Sequence, residues 1–163
     1  AHAIRDVAQG VTSTSFFARV TLTKDEAALS LGGFIAGIGA DFDEALYRAN
    51  FEEEYSAFLY KDARGVWPGA VFKLQEDKLS VLLQPQFAKI EQSSKLKNFF
   101  AEDPGTPSSS STGGWHGEQI GSEVARALAF TKPGAMFAYG WFHNSYFILS
   151  TSLDGLREAV RQL

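Results

Sequence analysis

The sequence predicts an α+β domain: a duplicated antiparallel three-stranded meander, each copy followed by a helix, related by a pseudo-two-fold, with the helices packed on one face of the sheet. Three observations carry that expectation. Pro68-Gly69-Ala70-Val71-Phe72 recurs as Pro133-Gly134-Ala135-Met136-Phe137, 65 residues further on. At the same offset Ser80-Val81-Leu82-Leu83 meets Ser145-Tyr146-Phe147-Ile148. An amphipathic pattern then follows in each half, after Pro85 and after Ser152. The repeat spans roughly 54–101 and 124–163 of a 163-residue chain, a length that suits one domain, 1–163, with one core.

The elements follow in order. Ser15 to Leu22 (SFFARVTL) is rich in aromatic and β-branched residues and reads as a strand. Thr23-Lys24-Asp25-Glu26 has the form of a capping box, so a helix is expected from there through Leu31. Gly32, Gly33, Gly37 and Gly39 weaken its continuation, which predicts a break near Gly32 or a close approach to a neighbour. Asp41 to Asn50 reads as a short helix with acidic residues in its first turn. Strands are expected at 54–61, 70–74 and 79–83, the last being the run LSVLL. Pro85 then suits the first turn of a helix over 87–101, with Phe87, Ile90, Leu96, Phe99 and Phe100 on one side.

Pro104 to Gly114 (PGTPSSSSTGG) is a flexible loop by composition. Three further strands are expected at 124–130, 135–142 and 145–150, joined by Thr131-Lys132-Pro133-Gly134 and by His143-Asn144. The last helix starts at a cap in Thr151-Ser152 and places Leu153, Leu156, Val160 and Leu163 on one stripe.

Composition excludes several classes of activity. There is no cysteine, which removes disulfide frameworks, thiolate metal sites and cysteine nucleophiles. The net charge of −4, with basic residues scattered, argues against a nucleic-acid partner. No apolar run reaches the ~20 residues of a membrane-spanning helix. His2, His116 and His143 lack the spacing of a metal site, so no metal or cofactor is expected. The carboxylates of Asp41, Asp43 and Glu44 lack the ligand alternation of a calcium loop. The glycines from Gly32 to Gly39 lead into Ala40-Asp41 where a phosphate loop needs lysine. No serine motif has the setting of a nucleophile, and Ser94 with Lys97 falls within a helical pattern. No catalytic residue is therefore assigned. A hydrolase built on His116 or His143 with an acidic partner is the least favoured reading.

Aromatic residues are abundant, with 14 Phe, 5 Tyr and 3 Trp. Most belong in a core. Trp115, Tyr139, Trp141 and Phe142 are the candidates for a ligand-binding aromatic cleft between the repeats.

The segment Pro68-Gly69-Ala70-Val71-Phe72-Lys73-Leu74 and the tail from Tyr146 to Val160 (YFILSTSLDGLREAV) resemble an uncharacterised family of bacterial membrane-anchored extracytoplasmic proteins. The resemblance covers residues 51 to 163, and its motifs are structural. It implies a duplicated meander-plus-helix domain located outside the cytoplasmic membrane, and it carries over no active-site residue. The start at Ala1 fits removal of a signal, an anchor or a tag, and a membrane tether outside this chain is expected. The expected function is a non-enzymatic interaction or assembly domain of an envelope or surface protein, with a protein partner or self-association. The alternative is a module binding a lipid, a sugar or a flat aromatic ligand.

Overall fold

The computed structural model describes residues 15–24, 27–38, 43–108 and 114–163. They form an α+β domain around one antiparallel seven-stranded sheet. The strands are β1 (Phe16–Val20), β4 (Phe51–Asp62), β5 (Gly65–Leu74), β6 (His116–Ile120), β7 (Glu123–Ala129), β8 (Met136–Phe142) and β9 (Tyr146–Ser150). Their order across the sheet is β1-β4-β5-β9-β8-β7-β6. A separate two-stranded ribbon joins β2 (Thr23–Lys24) to β3 (Ala27–Ala28). The helices are α1 (Leu31–Ile38), α2 (Glu44–Asn50), α3 (Ser80–Phe87) and α4 (Leu153–Arg161).

The helices do not share one face of the sheet, contrary to expectation. Alternation along each strand divides the side chains into two sets. On one face Phe51, Phe72, Phe137, Tyr139 and Phe147 meet α1, α2, α3 and the 3₁₀ turns Ala88–Gln92 and Leu96–Phe99 in a dense aromatic core. On the other face Phe58, Ala127, Ala138, Phe142 and Ile148 pack beneath α4 through Leu156 and Ala159. The fold therefore has three layers, and an apolar residue at almost every position of β8 and β9 follows from burial on both sides.

The first copy of the expected repeat lacks its third strand. LSVLL, expected as a strand over 79–83, lies mostly in α3, where Ser80, Leu83 and Phe87 are buried at helical spacing. A short apolar run fits either conformation, and here the aromatic core receives Phe87 on a helix. The counterpart Tyr146-Phe147-Ile148 is in β9, so the two halves do not repeat strand for strand. Pro85 lies inside α3, not in the first turn of a following helix. It removes one bond of the helical ladder. The chain continues as 3₁₀ turns, which replace the expected helix over 87–101 while burying Ile90, Leu96, Phe99 and Phe100.

Two further differences lie near the N-terminal end. The expected helix start at Thr23 is instead the β2–β3 ribbon, and the helix begins at Leu31. Asp25 and Glu26 of the capping box lie outside the described residues. Ser30 Oγ accepts from the Gly33 amide at 3.1 Å, capping α1 in place of Thr23. A Cβ on Gly32 would stand 2.5 Å from Glu44 Oε1, so the glycine serves the close approach of α1 to α2. In α2, Asp43 is the cap and accepts from the Leu46 amide; Asp41 lies outside the described residues.

The C-terminal half matches its reading closely. His143 and Asn144 both have positive φ, 49° and 57°, at the centre of a tight turn between β8 and β9 in which the Ser145 amide donates to the Phe142 carbonyl at 3.2 Å. Ser150, Thr151 and Ser152 are buried but satisfied. Thr151 Oγ1 donates to the Pro68 carbonyl at 2.8 Å, and Ser152 Oγ accepts from the Gly155 amide at 3.0 Å, capping α4. Within 104–114, Pro107 bridges to Phe130, and residues 109–113 lie outside the described set. β6 was not anticipated by composition.

Candidate functional site

α4 packs over β4, β5, β8 and β9, and its first turn lies against Tyr60 and Ser150. Its C-terminal end lies near Tyr55 and Tyr146, at the other end of β4 and β9. There Ala159, Gln162 and Leu163 form one wall of a cleft of about 290 Å³. The floor comes from Phe17 on β1, Phe58 on β4 and Val71 on β5. Phe17 stacks on Phe58 with ring centroids 5.0 Å apart. Phe58 lies against Gly69, which faces it across the ladder.

The rim is charged. β4 and β5 lose register between Phe51 and Tyr55, a bulge that interrupts the ladder at Glu52 and Glu54. Lys73 Nζ donates to Glu52 Oε1 at 2.8 Å and closes one ion pair. Both side chains are more than a third exposed, so this pair contributes little to stability. Hydrogen bonding to Glu52 shifts the Lys73 ammonium pKa upward. Arg19 and Glu54 also line the cleft, and neither has an ion-pair or side-chain hydrogen-bond partner among the described residues. Ser56 and Tyr146 add hydroxyl groups.

The four aromatic candidates lie elsewhere and do not line one cleft. Tyr139 and Trp141 alternate with Phe142 along β8, so they point to opposite faces. Phe142 is fully buried under α4. Trp141 is partly buried against Phe147, with centroids 5.0 Å apart, and against Phe87 at 5.3 Å. Trp115 packs edge-on to Tyr139, and its indole N–H donates to the Glu91 carbonyl at 3.1 Å.

Tyr139 belongs to a polar lock. Its hydroxyl donates to Glu91 Oε1 at 2.8 Å, and Arg126 donates to both Glu91 oxygens at 2.8 and 3.1 Å. Burial and then the bond to Glu91 push the Tyr139 hydroxyl pKa well up. Burial alone would raise the Glu91 carboxyl pKa, but donation by Arg126 and Tyr139 outweighs it, and the net shift is downward. The lock thereby pins the 3₁₀ turn at 88–92 to β7 and β8.

A depressed carboxyl pKa stabilises the fold above the unfolded-state value, near 4.5, and that contribution is lost as pH falls through the folded-state value. Glu91→Gln is therefore expected to lower stability at neutral pH and to flatten the acid limb of a urea-unfolding pH series. An unchanged acid limb would show that Glu91 carries no such linkage.

His116 Nε2 meets Glu118 Oε1 at 3.2 Å on the edge strand β6. The His143 amide donates to Glu123 Oε1 at 2.7 Å. No group of three or more residues suited to a metal ion occurs among the described residues. No described helix is long and apolar enough to cross a membrane.

The cleft residues escaped the sequence reading because they come from five separate elements. One signal was present: Phe17 with Arg19, and Glu52, Glu54, Ser56 and Phe58, each share one face of a strand at period two. The fold and cleft define an α+β domain with a small mixed-polarity site on a three-layer antiparallel sheet. No family model, curated protein or solved structure matches the chain.

Proposed function

We propose that the domain is a non-enzymatic interaction module, an extracytoplasmic part of an envelope or surface protein, and that its partner docks on the outer side of α3. Leu79, Val81 and Leu82 support this reading. They are 61%, 64% and 68% exposed within about one turn of chain, while the polar Ser80 between them is buried. Solvated apolar area of this kind costs about 25 cal/mol per Å² that a partner would recover, and adjacent exposed aliphatic side chains mark interaction surfaces. The simplest partner is a second copy of the chain.

The test is sedimentation velocity across a wide concentration range, with the wild type beside Val81→Lys/Leu82→Lys. Wild type is expected to shift toward dimer with concentration, and the variant to remain monomeric with an unchanged circular-dichroism spectrum. A wild-type protein that stays monomeric throughout would remove self-association and restrict the reading to a different protein partner.

The second reading is a small-ligand module. The cleft beside α4 favours it, at the lower end of the ~300–1,000 Å³ usual for ligand sites.

A further inference from the structure

We infer that the cleft beside α4 binds a free α-amino acid with an apolar side chain, held as the zwitterion. The inference rests on the second reading above, that this cleft takes a small ligand.

Its volume of about 290 Å³ admits a molecule of amino-acid size and little more. Three features select the chemistry. The first is the floor, where Phe17 stacks on Phe58 next to Val71. An apolar side chain laid there loses water on one side and meets ring carbon on the other, and an aromatic ring gains edge or offset contacts as well.

The second is the pair of uncommitted charges. Lys73 and Glu52 neutralise each other across the rim. What remains among the lining side chains is one guanidinium, Arg19, and one carboxylate, Glu54, neither held by another described side chain. A simple anion would be drawn to Arg19 and repelled by Glu54. A simple cation would meet the reverse. A zwitterion satisfies both.

The third is their separation. Arg19 sits opposite Phe58 in the β1–β4 register, and Glu54 lies four residues before Phe58 on the same face of β4. Four strand residues span about 13 Å. Both side chains line the cleft, so one small molecule lying over Phe17 and Val71 meets both charges. Arg19 then donates to the α-carboxylate, and Glu54 accepts from the α-ammonium.

The test is a titration of the ¹⁵N-labelled chain with L-phenylalanine, read by amide shifts. N-acetyl-L-phenylalaninamide, which keeps the ring and removes both charges, is the control probe. L-phenylalanine is expected to give saturable shifts at Phe58, Val71 and Ala159. Arg19→Gln and Glu54→Gln, both at exposed positions, are each expected to weaken it by about tenfold or more, as is the change to the neutral probe. If the neutral probe binds as tightly as L-phenylalanine, or if neither variant weakens the amino acid, the ligand class is wrong while the cleft remains a ligand site. If neither probe produces saturable shifts at these amides, the cleft does not take a small ligand, and the reading beneath the inference falls with it.

Discussion

Gly69→Ala is expected to destabilise the domain by about 3 kcal/mol or more, a large share of the ~5–15 kcal/mol that holds a domain of this kind together. A Cβ built on Gly69 would lie 2.1 Å from Phe58 Cζ and 2.5–2.6 Å from two further ring atoms. Those distances are far inside van der Waals contact, so the ring must leave. Phe58 has little room to do so. It is 1% exposed, its neighbour Phe17 stacks on it, and α4 covers the adjoining surface. Alanine therefore costs either strain or much of the burial of Phe58, worth about 3–5 kcal/mol when a phenylalanine is truncated.

A double-mutant cycle separates this cause from a general intolerance of alanine on β5. Phe58→Ala removes the clash, so Gly69→Ala added to it is expected to cost less than about 1 kcal/mol further. Additive losses in urea unfolding would show that the ring is not what Gly69 accommodates. Because Phe58 also floors the cleft, Gly69→Ala should weaken any ligand seated there without touching a rim charge.

Local chemistry explains which parts of this architecture were readable. The β8–β9 hairpin is specified twice, by continuous apolar and aromatic runs and by His143-Asn144, whose positive φ angles suit a tight turn. The α4 cap at Ser152 needs only the residues around it. Leu79 to Leu83 gave no such local signal. Its conformation depends on Phe87 reaching Tyr47, Phe51, Trp141 and Phe147, which come from four other elements. The same limit applied to the site. Trp115, Tyr139 and Trp141 are residue types that line ligand clefts, but here Glu91 and the aromatic core hold them. Nothing near Glu91 in sequence shows that Arg126 and Tyr139 will reach it. The match of Pro68–Phe72 to Pro133–Phe137 holds for strand-forming chemistry but not for position. Pro68 lies within β5, whereas Pro133-Gly134 makes a turn with φ of 86° at the glycine.

The second large effect is expected on the opposite face. Phe147→Ala should cost about 3–5 kcal/mol. Phe147 is fully buried, and six aromatic rings have centroids within 6.4 Å of its own, from Phe87 at 4.9 Å and Trp141 at 5.0 Å out to Tyr47 at 6.4 Å. Rings in such a cluster are too rigid to collapse into the vacated volume, which places the substitution toward the upper part of that range. The loss should also appear as a weakened near-ultraviolet dichroism signal, since the neighbouring tyrosines and tryptophan lose a fixed environment. Phe147 and Phe58 belong to different core layers, separated by the sheet itself. Their truncations are therefore expected to add within about 0.5 kcal/mol when each variant and a stabilised background are compared by guanidinium unfolding. A coupling well above that figure would mean that the two layers yield together, with the strands transmitting a shift from the aromatic core to the floor of the cleft. Additivity would instead mean that the cleft can be redesigned from the α4 side while the aromatic core continues to hold the fold.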